Sequence, residues 1–269
     1  MAAITAPAGR AAFKFPGLRK LEHSLLVYRR VWRGTFFGTL ISPVLFLSAM
    51  GLGLGSLIPG GVARFDGVSY LAFLAPGLMA AQAMQTATIE SSWPLLAGFK
   101  WLKTFQGAIA TPQSPRDIAL GHLYWQVVRL GVVTGVFLVV ALLFGAVTLP
   151  LALAAWPAAI LTGLAFGMPM AAWTATRQTE SSFPVIFRFV ITPLFLFSGT
   201  FFPIEQLPAV IQPVAWLTPL FHGVALTRAL ALGHGLDPVI VGIHAAFLMG
   251  LVIVGASVAL VTFRRRLIV

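Results

Sequence analysis

Six apolar stretches recur along this 269-residue chain, each close to the roughly 20 residues a helix needs to cross about 30 Å of hydrocarbon. They fall at 36–58, 69–90, 120–147, 151–174, 184–202 and 239–262. Overall 58% of the residues are hydrophobic, 9% are charged, and the mean hydropathy is +0.93. A water-soluble domain of this length has no core large enough to hide that much apolar surface. The sequence predicts an all-α integral membrane protein with six transmembrane helices and no sizeable soluble domain. Residues 1–35 form a basic N-terminal segment and 36–269 a single membrane domain.

The basic residues orient this layout. Seven Lys/Arg precede the first span, Lys100, Lys103 and Arg116 lie between the second and third, Arg177 lies between the fourth and fifth, and Arg264 to Arg266 follow the last. Arg64 and Arg228 fall on the other side, and Arg129 and Arg188 lie within spans. This bias predicts a multi-pass protein with both termini cytoplasmic. It also accounts for the net charge of +11 without nucleic acid. There are no cysteines, which excludes disulfides, thiolate metal sites and cysteine nucleophiles. The five histidines lack HxxxH or HExxH spacing, so no metal or other cofactor is expected on the chain. No 7–15-residue apolar core precedes a small-residue cleavage site in the first 35 residues, and no removable signal is expected.

Before the first span, Leu18, Leu21, Leu25, Tyr28 and Trp32 recur at helical spacing, with arginines and lysines on other faces. This is either an amphipathic helix in the headgroup region or a basic flank that sets topology. Residues 91–119 are mixed in character, with a Pro112/Pro115 break, and suit a short cytoplasmic helix followed by a turn. Residues 203–238 lie outside yet stay mostly apolar. Ile204, Leu207, Ile211 and Val214 predict one half-helix, and "PLFHGVALTRALALG" a second that ends at Gly233. Neither piece is long enough to cross alone, so the pair predicts a re-entrant hairpin entering from the outer face. Ser198 to Pro203 would be its hinge, with Glu205 near the half-helix start, where the helix dipole favours a carboxylate.

The segments "FLFSGTFFPIEQLP" and "WLTPLFHGVALTRAL" resemble the C-terminal signature of ABC type 2 exporter permeases. "SYLAFLAPGLMA" and "ATPQSPRDIALG" fall where that family carries similar segments. The likeness is strongest to the branch containing nodulation-factor (lipo-oligosaccharide) and daunorubicin-type drug exporters. It implies a bacterial inner-membrane half-transporter: two six-span subunits, the second a copy or a paralogue, driven by two separate ATPase subunits that carry ATP and Mg. Consistent with that division, the chain contains no GxxxxGK[ST] phosphate loop.

The resemblance further implies a coupling helix at about 100–110, in which Lys100, Trp101, Lys103, Thr104, Phe105 and Gln106 meet the ATPase. Gln106 stands where relatives commonly have a carboxylate. The outer hairpin would form an extracellular gate, with Ser198, Gly199, Phe202, Pro203, Glu205 and His222. The substrate class it implies is hydrophobic or amphipathic: a drug, antibiotic, lipid or lipo-oligosaccharide.

Other residues carry two readings each. Gln82, Thr86 and Glu90 form a polar stripe that either lines a pathway or ends at the headgroups, with Glu90 a salt-bridge candidate. Arg129 is deep if the third span begins near 120, and snorkels if it begins near 127. Glu205 caps a helix or controls the exit. Phe187, Phe195 and the other phenylalanines of the fifth span offer a greasy substrate surface or pack against lipid. His222 would cap or hydrogen-bond within the hairpin, and Gly131 and Gly135 form a GxxxG that marks close helix contact. A membrane enzyme would need acids clustered at one face, and a secondary transporter would need internal repeats with paired acidic sites. Neither pattern is visible in the sequence.

Overall fold

In the computed structural model, residues 17–54 and 67–268 are described; of Leu52 and Leu54 only the backbone is considered. The end of the first predicted span (55–58), Arg10, Lys14 and Arg64 lie outside the described residues. The rest is helical, with no strand among the described residues. α1 (Leu18–Phe46) runs on into a π-helical stretch (Leu47–Leu54). α2 (Tyr70–Glu90) starts at Ser69, whose hydroxyl accepts the Ala72 N–H. Two short helices follow, α3 (Trp93–Lys100) and α4 (Thr104–Ile109).

α5 (Pro115–Leu143) opens on a reciprocal cap: Ser114 Oγ accepts from the Asp117 N–H, and the Asp117 carboxylate accepts from the Ser114 N–H. α6 is Leu149–Thr174 and α7 is Phe183–Phe197. After a 3-10 turn at Ile204–Gln206 come α8 (Gln212–Trp216), α9 (Pro219–Leu232) and α10 (Pro238–Leu267).

α6 is the centre of the bundle, packed against α10, α2, α9 and α5. Its inward face is built from Ala155, Ala158, Ala159, Ala165 and Ala171, and α2 meets it with Ala80, Ala81, Ala83 and Ala87. Small side chains let the helix backbones approach, which supplies dispersion contacts where lipid offers no hydrophobic gain. Apolar surface is left outside on α1 (Phe37, Ile41, Leu45) and α10 (Ile243, Ile253, Val254), as a lipid-facing helix requires.

By length and composition, four helices are apolar enough to span a bilayer: Leu18–Gly51, Pro115–Leu143, Leu149–Thr174 and Pro238–Leu267. The second predicted span appears as α2, at 21 residues and about 31 Å long. The fifth, expected over 184–202, ends at Phe197 and is only about 22 Å long. Its interior widens into a π-helical turn at Phe187–Ile191. Pro193 lacks an N–H and crowds the carbonyl four residues back, and widening the turn relieves that clash. Thr192 Oγ1 donates to the Phe187 carbonyl at 2.8 Å across the widened turn.

Two predicted elements are corrected. The headgroup helix and the first span are one continuous helix, because no proline falls between Leu18 and Pro43. Its inward face is also the polar one. Ser24 is buried and Lys20 Nζ donates to its hydroxyl at 2.9 Å, while Leu18, Leu25 and Trp32 are exposed. The first outer half-helix does not form as one piece. Leu207 precedes Pro208 and is extended at ψ 153°, since a residue before proline is disfavoured in the α region. Ile204 and Leu207 are buried as expected, whereas Ile211 and Val214 are exposed. The second half-helix forms as expected, from the Thr218 cap to Gly233 at φ 70°.

Candidate coupling and gating sites

The segment predicted to couple is a turn and a short helix rather than one helix over 100–110. α3 ends at Lys100, Trp101 and Leu102 stand exposed at 50% and 70%, and Lys103 turns the chain at φ 51°. Lys103 is the one non-glycine among the described residues in the left-handed region. Thr104 is exposed at the start of α4, but Phe105 is turned inward and only 4% exposed. Its ring packs edge-on to Phe99 with centroids 4.7 Å apart, and both rings contact Phe263 of α10. Gln106 Nε2 donates to the Phe99 carbonyl at 2.7 Å. A carboxylate could not donate that bond, which gives glutamine a structural reason at this position.

Arg266 completes the anchorage. Its Nη1 donates to the carbonyls of Thr174 (3.0 Å), Ala175 (3.0 Å) and Arg177 (2.6 Å), and its guanidinium lies 4.5 Å from the Phe99 ring centroid. A cation thereby satisfies the orphan carbonyls at the end of α6, where the helix dipole favours positive charge. Sequence reasoning counted Arg266 only as a topology signal and missed Leu102. The helical phase of Leu95 and Phe99 would have placed Leu102 on the same buried face; it is exposed because α3 ends at Lys100 and the chain turns at Lys103.

Inside the bundle the polar stripe of α2 turns toward α1 and α5. Ser42 Oγ donates to Gln82 Oε1 at 3.3 Å, and Thr86 is half-buried. Glu90 forms an ion pair with Arg129 at 3.2 Å and accepts from Trp125 Nε1 at 3.2 Å. Arg129 Nη1 also donates to the Tyr28 hydroxyl at 3.4 Å. α5 begins at Pro115, and Arg129 is buried within the protein, only 8% exposed, at the level where α2 ends on Glu90. Beside this pair, Gln126 Nε2 donates to Ser91 Oγ (2.7 Å) and the Ala87 carbonyl (3.2 Å), and His122 Nε2 lies 3.1 Å from Ser91 Oγ. Gly121 lets α1 reach α5 here: a Cβ would meet Lys20 Cβ at 2.4 Å and the Gly17 carbonyl at 2.8 Å. Gly131 and Gly135 instead face the Ile160 and Trp156 side chains, so the GxxxG marks no backbone contact.

At the opposite end, Ser198, Gly199, Pro203 and Glu205 line one cavity of about 390 Å³, together with Arg228 and Phe73. Gly199 makes the break at φ 81°. Arg228 fastens it: Nε donates to the Phe73 carbonyl (3.1 Å), Nη2 to the Gly199 carbonyl (2.8 Å), and the guanidinium sits 3.7 Å from the Phe73 ring centroid. Tyr70 donates its hydroxyl to the Phe201 carbonyl at 3.2 Å, and Ser198 Oγ lies 3.0 Å from Thr218 Oγ1. Glu205 sits in a single 3-10 turn and not at an α-helix start, so the macrodipole argument lapses.

Phe202 packs beside Ile204, Leu207 and Ala215. His222 points away from the cavity: its Nδ1 lies 2.8 Å from His244 Nδ1, its ring stacks on Phe247, and it keeps a hydrogen bond with the Trp216 backbone. Phe187 packs on Trp93 and Phe195 lies between Phe46 and Phe201, both partly buried. Arg228 and Tyr70 were absent from the sequence-predicted gate, because nothing local to them signals a partner distant in sequence.

These features define a multi-pass helical membrane protein whose polar chemistry binds helix to helix and whose described residues hold no cluster of three or more metal-ligating side chains. Residues 21–232 match the family model described as ABC-2 type transporter, and the chain belongs to that family. It is therefore the membrane subunit of a transporter and not itself a catalytic subunit. Similar proteins include Nodulation protein J of Rhizobium meliloti (strain 1021), 34% identical over 247 residues, 91% of this chain and 92% of that one. Nodulation protein J of Rhizobium leguminosarum bv. viciae is 32% identical over 268 residues, 99% of each chain. The inner membrane transport permease YadH of Escherichia coli (strain K12) is 24% identical over 212 residues, 77% of this chain and 78% of that one.

Proposed function

We propose that this chain is one transmembrane half of an ATP-driven exporter of hydrophobic or amphipathic molecules, lipo-oligosaccharides and drugs being the classes its relatives suggest. A second copy or a paralogue completes the pathway, and two separate ATPase subunits bind from the cytoplasmic side. Both termini are cytoplasmic in this reading, α2 and α7 count as the second and fifth spans, and the segment from Ser198 to Asp237 forms an outer re-entrant gate. Exposed Phe189 and Val190 on α7 offer apolar surface to the second subunit.

The observation that carries the reading is the coupling segment. Trp101 and Leu102 are apolar and exposed, yet the next turn is locked through Phe105 to Phe99, Phe263 and Arg266. A partner pressing on Leu102 therefore moves the ends of α6 and α10 with it. On the outer side, rotation of those helices reaches Arg228 through α9, which packs on both. The test is co-purification with an ABC ATPase encoded in the same genome. The variant W101A/L102E/K103E, which spares the buried Phe105, is expected to lose ATPase association by about 10-fold or more while inserting normally. Unreduced association would refute the coupling assignment. A screen for compounds that stimulate hydrolysis by the assembled complex would then address the substrate.

A further inference from the structure

At the basic end of the bundle, α5 and α10 diverge around a second cavity of about 820 Å³. Its walls combine Leu260, Val261 and Ile268 with the side chains of Arg116, Arg264 and Arg265. Unlike Arg266, which is spent on the α6 carbonyls, these three arginines have no ion-pair or side-chain hydrogen-bond partner among the described residues. The acid nearest in sequence, Asp117, is turned back to the Ser114 N–H and hydroxyl at 2.7 and 2.8 Å. Above the arginines, Val254, Val258, Val261 and Arg265 recur at spacings of four, three and four, one face of α10. The three valines on it are exposed at 61%, 46% and 49%.

We propose that this cavity is a binding site for one anionic phospholipid. Its phosphate would be held by Arg116, Arg264 and Arg265, and an acyl chain would lie along the valine face of α10. Three cations on two helices match a phosphodiester in charge and in number of donors. The apolar stripe rising from them is what a free phosphate would not use. A basic pocket between helix ends at the membrane surface is the general form of such sites.

The test is lipid retention by the full-length protein, purified from bilayers of phosphatidylcholine doped with phosphatidylglycerol, with bound lipid quantified by mass spectrometry. Wild type should retain phosphatidylglycerol in preference to phosphatidylcholine, and R116Q/R264Q/R265Q should lower that preference by about 10-fold. R116K/R264K/R265K, which keeps the charge, should keep most of it. R29Q/R30Q/R33Q, which removes equal charge from an exposed face of α1, should leave it unchanged. No preference in wild type, an equal loss in the α1 variant, or displacement of the lipid by glycerol phosphate would each overturn the proposal. So would normal lipid retention in the glutamine variant combined with lost ATPase binding, which would assign these arginines to the ATPase. The readout requires neither ATPase nor transport, so its failure is distinguishable from failure of the exporter reading.

Discussion

Glu90, at the end of α2, and Arg129 show how a charge is tolerated inside a packed helical bundle. Their side chains are 22% and 9% exposed, and Trp125 and Tyr28 supply further hydrogen bonds. Removing one partner strands the other, so R129M or E90Q alone should cost about 3 kcal/mol. The double variant should recover more than half of that loss, since no uncompensated charge remains. Thermal unfolding of the detergent-solubilised protein reads both, and additive losses would argue against the pairing. Gln106 gives a second residue-scale expectation: Q106E sets a carboxylate against the Phe99 carbonyl and should destabilise by about 1 kcal/mol in the same assay. The sequence marked Glu90 as a salt-bridge candidate but could not name its partner, because 39 positions separate Arg129 from Glu90 and nothing local announces the contact.

At the scale of elements, the sequence spoke clearly where a signal is local. The half-helix that stops at Gly233 was legible because its signals are local, whereas the serine-aspartate start of α5, five residues before the expected span at 120, was overlooked although its cap is equally local. The continuity of α1 was not, since a helix that changes surroundings from basic flank to span changes composition without changing backbone. The first outer half-helix failed for a reason that was visible: Pro208 follows Leu207, and its steric veto outweighs the apolar spacing.

Two fastenings between elements make testable joints. R228A removes three main-chain contacts from the outer break, and hydrogen exchange over 198–205 should accelerate by about 10-fold while α6 is unaffected. R266A uncaps α6 and loosens the Phe99 cluster. The complex should still assemble, with substrate-stimulated ATP hydrolysis reduced several-fold.

For the molecule as a whole, orientation is open to direct measurement, because the chain carries no cysteine that would confound labelling. Single cysteines at the exposed Leu102 and Glu205 should react with impermeant maleimide from opposite sides of the membrane, Glu205→Cys in intact cells and Leu102→Cys only after lysis. Reaction of both from outside would reverse or undo the layout. The uninterrupted α1 gives this layout a mechanical meaning. A 29-residue helix is a rod of about 44 Å. It is seated near one end where Lys20 meets Gly121, and it touches Gln82 through Ser42 near the other. With its fulcrum that far to one side, a tilt of about 5° at the seat sweeps the Ser42 end through roughly 3 Å, about the length of the hydrogen bond it makes. A displacement too small to unseat Lys20 from Gly121 is thus sufficient to make or release a contact at the far end of α1. In that sense α1 behaves as a pointer that magnifies motion rather than as a wall that resists it.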